Sequence, residues 1–220
     1  AGRVRLSDMW QLRGSVSTGF RAPTPGQSNA FNVSTEFDLV IMDLVNNGTI
    51  PSSSRVAELR GGEPLTAEES TNIALGAVFQ NGPFTFTADY FQIELDDRLT
   101  VTQLFSLTQD EVDALIAEGI TSAGNLANFR FFTNDFDTET SGIDLVTTYV
   151  PQSMGGNTTF SFLFNFTETE VTKLNPDTLD GTRIRELTGG LLEIRWDLSA
   201  NRMCDHGPRV PGRLSYLGGS

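Results

Sequence analysis

The side chains that most often carry catalysis are scarce in this sequence of 220 residues. It contains one histidine, His206, and one cysteine, Cys204, which form a single Cys-x-His pair. A catalytic or zinc site needs further ligands, or a nucleophile beside a base, and no nucleophile-elbow, P-loop or zincin pattern is present. We therefore expect no catalytic residue, no cofactor and no metal site, and we interpret the pair as an incidental thiol and imidazole.

Two acidic stretches contain the oxygen ligands that calcium prefers. The first lies near the predicted top of a strand, and the second lies in a turn that contains glycine. Neither has the spacing of a twelve-residue calcium loop, so solvation and turn formation are the simpler interpretation. The residues are Asp135, Asp137 and Glu139 in the first stretch, and Asn175, Asp177 and Asp180 in the second.

The composition excludes several classes of protein. The formal net charge of −13 would repel a phosphate backbone, so we expect no nucleic-acid partner. No stretch approaches the ~20 consecutive apolar residues of a membrane-spanning helix. The first ten residues hold neither an initiating methionine nor a secretory signal. We therefore expect a segment of a longer chain whose export signal lies upstream.

Apolar and polar side chains alternate along several segments, which is typical of β-strands with two different environments. From Trp10 to Phe20, for example, Leu12 and Val16 fall on one face, while Arg13 falls on the other. The same alternation recurs in the segments 71–79, 84–90, 140–150, 159–167 and 192–201. Asn81-Gly82 separates two of these segments and predicts a hairpin turn.

We predict that the apolar face of these strands meets lipid and that the polar face meets an aqueous lumen. Trp10, Tyr90 and Tyr149 suit an interfacial aromatic girdle. Charges in a wide lumen pair with one another or with whatever fills it, and structural pairing is the simpler role. The residues predicted to face lipid are Leu12, Ile73, Leu75, Phe84, Phe86, Leu145, Phe160, Phe162, Phe164, Phe166, Ile194 and Trp196. The residues predicted to face the lumen are Arg13, Asp89, Asp144, Asn165, Glu193, Arg195 and Asp197.

The lengths of the strands and connections favour a membrane barrel. Strands of ~9–11 residues are predicted, as a tilted membrane strand requires. Short turns at 81–83 and 151–157 alternate with long connections at 21–66, 96–128 and 168–190. Short periplasmic turns and long extracellular loops are the arrangement of outer-membrane barrels. A soluble β-sandwich is the alternative, and it predicts that the phenylalanines of 160–166 pack on a second sheet.

One long connection is predicted to contain a short helix that packs on the barrel rim. Thr108 and Glu111 form a capping box, and Gly119 suits the C-terminal stop. Between them, Val112, Leu115 and Ile116 form an apolar stripe.

Five blocks of the sequence resemble the barrels of TonB-dependent outer-membrane receptors. LRGSVSTGFRAPTPGQ, at 12–27, is similar to the family's Gly-Phe-Arg-Ala-Pro opening. The segment 64–100, PLTAEESTNIALGAVFQNGPFTFTADYFQIELDDRLT, resembles its Pro-Glu-x-Ser-x-Asn-x-Glu-x-Gly strand and Asp-Tyr-Phe partner. Asn72 and Gly76 fit that pattern, whereas residues 65–70 depart slightly from it.

The other three blocks lie further along the chain. FFTNDFDTETSGIDLVTTY resembles the family's next block, with Asn134, Gly142 and Asp144 in its Asn and Gly-x-Asp/Glu places. LLEIRWDLSANR and RVPGRLSYLGG are similar to strands nearer the end of the barrel. The stretch 203–211 between them is irregular for a strand pair.

The resemblance implies an all-β fold, an antiparallel transmembrane β-barrel segment that spans residues 1–220. It would be a partial barrel with long extracellular loops and one short loop helix, and the plug domain and both ends of the barrel would be missing. About seven recognisable strands cannot close the 22-stranded barrel that the family implies. Alone, the segment would leave sheet edges unpaired in lipid and would transport nothing.

The implied function is TonB-coupled uptake of a scarce nutrient across the outer membrane of a Gram-negative bacterium. The nutrient would be a ferric siderophore, cobalamin, haem or an oligosaccharide. The implied partners are outer-membrane lipid, the protein's own plug domain, the TonB complex through the missing N-terminal region, and the small-molecule ligand. A plugless porin or another outer-membrane barrel, and a soluble β-sandwich binding module, are the alternatives.

Overall fold

The computed structural model describes residues 1–38, 42–151, 156–188, 194–204 and 209–218. In chain order the strands are β1 (Gly2–Arg5), β2 (Trp10–Arg21), β3 (Asn32–Asp38), β4 (Asp43–Thr49), β5 (Glu68–Asn81), β6 (Phe84–Val101), β7 (Phe105–Ser106), β8 (Asn128–Arg130), β9 (Phe132–Tyr149), β10 (Gly156–Leu174), β11 (Ile194–Cys204) and β12 (Arg209–Gly218). The helices are α1 (Pro25–Ser28), α2 (Arg55–Glu58), α3 (Gln109–Ala117) and α4 (Gly181–Thr188), with a 3₁₀ turn at Thr121–Asn125. Among the described residues, no helix is long and apolar enough to cross a membrane.

Eight of the strands form one antiparallel sheet. Their order is β1-β2-β5-β6-β9-β10-β11-β12. Each strand therefore pairs with the next strand of this sheet along the chain. The alternation of side chains thus predicted the fold class correctly, and the sheet is open, with β1 and β12 as its edges. An open antiparallel sheet of this order is what a segment of a meander barrel presents.

The central strands are longer than predicted. β6 and β9 contain 18 residues each and β10 contains 19, against the ~9–11 expected. At ~3.3 Å per residue, β10 is on the order of 60 Å long, well beyond what a tilted strand needs to cross ~30 Å of hydrocarbon. The additional residues lie toward the long connections, where Glu94, Glu139 and Glu170 occupy one row. The period-two pattern detected only the part of each strand where one face is apolar.

Short turns join the strands at one end of the sheet. In the hairpin of β5 and β6, Asn81 pairs with Phe84, so the two central turn residues are Gly82 and Pro83. The prediction of Asn81-Gly82 was therefore shifted by one residue. Gly82 has a φ of +55°, and because proline fixes a negative φ, the turn is of the type with glycine at its first central position.

The stretch 203–211, interpreted as irregular, contributes to two regular strands. β11 continues to Cys204 and β12 begins at Arg209, and Met203 pairs with Arg209. Pro211 lies opposite Asn201 on β12, an edge strand, where a missing N–H is tolerated. The histidine of the Cys-x-His pair, His206, lies outside the described residues.

The long connections meet at the opposite end of the sheet and carry regular structure of their own. We call their described residues, within 22–67, 102–131 and 175–188, the loop layer. It contains a second sheet, in the order β3-β4-β8-β7, with β4 and β8 parallel. It also contains the four α-helices that the described residues form, so the prediction of one short loop helix was wrong in number. Two are too short to show a helical period, and each begins at a side-chain cap, Thr24 for α1 and Ser54 for α2.

The predicted helix is α3, with the capping box of Thr108 and Glu111 and with Gly119 at a φ of +91°. Its apolar stripe is narrower than predicted, because Leu115 is 2% exposed whereas Ile116 is 43% exposed. Leu115 packs among residues of the loop layer and not on the rim of the eight-stranded sheet. The helix therefore stabilises the loops internally.

The dry core of the protein lies in the loop layer. One cluster of buried apolar residues joins the first two long connections. Phe136 and Leu179, also buried, lie at the same end of the molecule. The cluster consists of Ile50, Val56, Ala57, Leu115, Ala123, Phe129 and Phe131.

The apolar face of the eight-stranded sheet is open to its surroundings. Phe160 is 44% exposed and Phe162 is 37% exposed, and no second sheet of the described chain covers them. The β-sandwich alternative required these rings to lie in a dry core. The structure contradicts that requirement.

Candidate functional site

A row of polar side chains crosses the eight-stranded sheet on one face, which we call the polar face. Residues that lie directly opposite one another on antiparallel strands project to the same side. Asp197 lies on this face too, two residues along β11. The paired positions, from β2 to β11, are Arg13, Gly76, Asp89, Asp144, Asn165 and Arg195.

Six of the seven residues predicted to face a lumen therefore share one face of the sheet. The seventh, Glu193, lies outside the described residues. The register brings Arg13 of β2 and Arg195 of β11 into a single row although they are far apart in the sequence.

An ion pair between Arg13 and Asp89 spans the strand that separates them. Arg13 Nε donates to Asp89 Oδ1 at 2.8 Å, and Arg13 Nη2 donates to Asp89 Oδ2 at 2.5 Å. Gly76 of β5 lies beneath the pair, and a Cβ at that position would collide with Asp89 Oδ1. Glycine is thus required at Gly76 for the charges to meet above the sheet.

The rest of the row has a mixture of paired and free groups. Asn165 Nδ2 donates to Asp144 Oδ1 at 2.7 Å, and Asp197 accepts from Arg213 Nε at 2.5 Å. Arg195 is exposed and makes no hydrogen bond or ion pair with another described residue. These side chains line a concavity of about 660 Å³ that is open to solvent. The polar face therefore offers both signs of charge to whatever occupies the space beside it.

The opposite face of the sheet, the apolar face, carries all twelve residues predicted to face lipid. Leu12, Leu145, Phe164 and Trp196 fall in one row, and the other eight fall in neighbouring rows. Aromatic rings pack on one another between strands, with centroids 4.9 Å apart for Trp10 and Phe79 and 5.9 Å apart for Trp196 and Tyr216. The predicted girdle residues Tyr90 and Tyr149 also lie on this face, Tyr149 in the row of Phe84 and Phe160 and Tyr90 in the row of Leu75 and Ile143.

In the loop layer, two arginines of the first long connection bind two glutamates of the second. Arg60 donates to both carboxylate oxygens of Glu111, at 2.8 and 2.9 Å, and to the carbonyl oxygen of Ser106 at 2.9 Å. Arg55 Nε donates to Glu118 Oε2 at 3.1 Å. The hydrogen bonds from Arg60 and from the backbone of Thr108 lower the pKa of Glu111 to about 2. The same contacts raise the pKa of both arginines.

Main-chain pairing reinforces this junction. The Ile50 N–H donates to the Arg130 carbonyl oxygen at 3.0 Å, in continuation of the parallel ladder between β4 and β8. The third connection joins through Gln103, whose N–H donates to the Thr178 carbonyl oxygen at 2.9 Å. All three long connections are therefore linked in one layer.

The acidic stretches considered for calcium are used in contacts within the protein. Asp135 accepts from the Thr178 hydroxyl, and Asp137 accepts from the Asp97 N–H at 2.8 Å. Asn175 and Asp180 accept from main-chain N–H groups within their own turns, at 3.1 and 2.8 Å. Among the described residues, no group of three or more potential ligands converges.

Several contacts that build these surfaces were not predicted from the sequence. Arg213 escaped notice because Pro211 and Gly212 obscured the alternation of β12. Arg60 and Glu111 are 51 residues apart, and no local pattern connects them. Only the alternation of Arg213, Ser215 and Leu217 with Leu214 and Tyr216 would have placed Arg213 on the polar face.

Comparison with known proteins gives one family and a consistent fold. A family model described as "TonB dependent receptor-like, beta-barrel" matches residues 2–219. The structure is similar to the siderophore receptor PirA from Pseudomonas aeruginosa, with a TM-score of 0.55 and 15% identity over 97% of this chain and 31% of that chain. It is also similar to the FrpB iron transporter from Neisseria meningitidis (F3-3 variant), with a TM-score of 0.56 and 14% identity over 97% of this chain and 25% of that chain. At such identities these two likenesses establish the fold alone. This chain spans less than a third of either receptor, and no curated protein sequence matches it.

Proposed function

Since this chain belongs to the family of TonB-dependent receptor-like β-barrels, we propose that it forms part of an outer-membrane receptor that takes up a scarce nutrient. Its apolar face meets lipid, its polar face lines the aqueous lumen, and its loop layer lies outside the cell. The complete receptor would lie in the outer membrane of a Gram-negative bacterium. A plug domain and the TonB complex would be its partners.

The observation that carries this proposal is the exposure of the apolar face across neighbouring strands. From Phe162 at 37% to Val16 at 67%, large apolar side chains of this face remain accessible. Soluble proteins rarely expose contiguous apolar patches larger than a few hundred Å². A hydrocarbon environment removes these side chains from water, at ~1.5–3 kcal/mol for each large side chain that is fully buried. Lipid is therefore the environment in which this sheet is stable.

The polar face supports the other half of the proposal. Arg13 and Asp89 are partly exposed, with side-chain accessibilities of 50% and 26%. Charges that border a water-filled lumen keep most of their hydration, whereas in hydrocarbon each would cost several kcal/mol. The two faces of one sheet thus suit the two sides of a barrel wall.

The ligand we expect first is a ferric siderophore. Two receptors of similar fold are named as a siderophore receptor and an iron transporter, which makes this class the first to test. Cobalamin, haem and oligosaccharides are the other candidates. Ligand contact would come from the loop layer and from the upper part of the polar face.

The placement of the two faces is tested by paired substitutions in the full-length receptor. Phe162 and Leu163 are adjacent on β10 but project to opposite faces, and both are well exposed, at 37% and 44%. Phe162→Arg places a charge in lipid and should cost ~2–4 kcal/mol, enough to block assembly, whereas Leu163→Arg places it in the lumen near Asp197. We expect only the Leu163 variant to reach the outer membrane and to show heat-modifiable mobility on gels. Equal assembly of both variants would contradict the proposal.

Energised uptake is tested separately. Cells that express the full-length receptor as their only route for a labelled ferric siderophore should accumulate it, and collapse of the proton gradient should stop accumulation. Uptake that continues without the gradient would identify a porin instead.

A further inference from the structure

Three neighbouring strands are irregular at the end of the sheet where the long connections begin. The register between β6 and β9 shifts twice, between Leu95 and Arg98 and between Arg98 and Thr100. On β10, the register shifts between Val171 and Lys173. Each bulge leaves an extra residue out of the ladder, so its main-chain groups need other partners.

Side chains from β5 and β9 supply those partners to the bulge of β6. Asp97, with a φ of +51°, donates its N–H to Asp137 Oδ1 at 2.8 Å. The Leu99 N–H donates to Glu68 Oε1 at 2.7 Å. The Asp97 carbonyl oxygen accepts from Asn134 Nδ2 at 2.6 Å. The backbone of β6 is therefore held in a left-handed bend by three side chains of its neighbours.

Asn134 contacts a second main-chain segment at the same time. Its Oδ1 accepts from the Thr66 N–H at 2.9 Å, and its Nδ2 donates to the Thr66 carbonyl oxygen at 3.2 Å. The Asn134 amide thus makes the two hydrogen bonds to Thr66 that the backbone of a neighbouring strand would make. Thr66 closes the first long connection and Asp97 precedes the second, so a single side chain ties together the bases of both.

Glu68 links the start of the first long connection to the bulge of β6. Arg21, the last residue of β2, donates from Nη2 to Glu68 Oε1 at 2.8 Å and lies 2.5 Å from Oε2 through Nε. The Glu68 side chain is only 11% exposed. The Arg21 side chain is 66% exposed, so the two-pronged geometry of this pair, and not its burial, distinguishes it from a simple surface contact. Arg21, Glu68 and Asn134 come from three separate blocks of the sequence.

We propose that Asn134, with Glu68 and Arg21, is a clamp that fixes how the first two long connections leave the sheet. The order of the loop layer depends on this clamp, while assembly of the barrel wall does not. Loosening it should release both connections together, because they share one bulge below and one dry core above. The inference rests on the proposed function only in taking the eight-stranded sheet as a membrane wall.

The variant Asn134→Asp tests the clamp in the full-length receptor in outer-membrane vesicles. The carboxylate still accepts from the Thr66 N–H but faces the carbonyl oxygens of Asp97 and Thr66 with no hydrogen to donate. Proteinase K should then cleave residues 22–67 and 102–131 faster, by about 10-fold or more in each, because the carbonyl oxygens of Asp97 and Thr66 lose their donor and face a negative charge. Heat-modifiable mobility, which reports the assembled wall, should stay as in the unmodified receptor.

Asn175→Asp is the matched control. Asn175 borders the same cavity as Asn134, and its Oδ1 accepts from the Asp177 N–H at 3.1 Å. Its amide nitrogen donates to no other described residue, so the carboxylate keeps the existing contact and adds the same charge. We expect cleavage of this variant at the rate of the unmodified receptor.

The outcomes separate the clamp from the proposed function. Unchanged cleavage of an assembled Asn134→Asp receptor, faster cleavage of only one connection, or an equal effect of Asn175→Asp would overturn the clamp. If Asn134→Asp does not assemble, Glu68→Gln tests the clamp in its place. This variant keeps the acceptor for the Leu99 N–H but loses the charge that binds Arg21. Failure of the unmodified receptor to show heat-modifiable mobility would overturn the membrane wall itself.

Discussion

The eight-stranded sheet and the loop layer solve the same physical problem in opposite ways. The sheet leaves large apolar side chains such as Val16 and Phe160 exposed, and its buried apolar residue Phe136 lies at the loop end. The loop layer shields Phe129 and Phe131 completely, at 0% exposure. If the sheet lies in the outer membrane as proposed, lipid replaces a protein core for it, whereas the loops, which would face water, need a core of their own. The solvent on each side thus decides where the core lies.

The same substitution in both regions should have different effects, and this gives the largest expected contrast. Phe129→Ala in the loop layer removes a fully buried ring and leaves a cavity, at a cost of ~3–5 kcal/mol. Phe160→Ala in the sheet loses mainly the transfer into lipid of a ring that is 44% exposed, ~1.5–3 kcal/mol at most, together with its stacking on Tyr149, and leaves no enclosed cavity.

The measurement is proteinase K cleavage of the loops beside heat-modifiable mobility in the full-length receptor. We expect Phe129→Ala to loosen the loops with the wall intact, and Phe160→Ala to leave the loops protected. Loop cleavage that rises equally in both variants would remove the distinction between the two regions.

Acidification should weaken the loop layer before the sheet. The pKa of Glu111 is lowered to about 2, chiefly by Arg60, so its contribution is complete above its ordinary pKa of 4.5 and is lost as the pH falls toward 2. Pepsin cleavage of the loops should therefore rise between pH 4.5 and pH 2 in the assembled receptor. Glu111→Gln should be cleaved readily throughout that range. A loop layer in the unmodified receptor that stays equally protected down to pH 2 would contradict this role of Glu111.

The smallest effect is expected from the ion pair on the polar face. Asp89→Ala removes the partner of Arg13, whose side chain is 50% exposed, so water replaces most of the interaction. The loss should be below about 1 kcal/mol, read as a small shift of the urea midpoint of the refolded receptor. A loss of several kcal/mol would show that the polar face is dry, and would thus place it against protein and not against a lumen.

The faces of the strands could be predicted from the sequence because period two is a local property. The faces of Phe160, Phe162 and Phe164 can be predicted from the residues adjacent to them in the sequence. The upper strand ends were not predicted, because the apolar alternation does not continue there on the same face. On β6 it is inverted, since Phe91, Ile93 and Leu95 fall on the polar face while Gln92, Glu94 and Asp96 fall on the other. On β9, the residues from Asp137 to Thr140 are polar on both faces.

The loop layer was beyond sequence reasoning for a different reason. Its parallel ladder joins Asn47 to Asn128, and its strongest ion pair joins Arg60 to Glu111. Such contacts depend on where the strands of the sheet end in space, and no residue spacing within either connection predicts them. Only α3, which has a capping box and a glycine stop within twelve consecutive residues, was readable locally.

We expect one side of β10 to meet hydrocarbon while the other meets water. This expectation is tested most directly by nitroxide labels placed one at a time from Phe160 to Thr167 in the full-length receptor in bilayers, after replacement of Cys204 by serine. Collisions with oxygen, which concentrates in lipid, should peak at the even positions, and collisions with a water-soluble nickel complex should peak at the odd positions. Equal accessibility to the nickel complex at all eight positions, or protection of the even positions from both reagents, would contradict it.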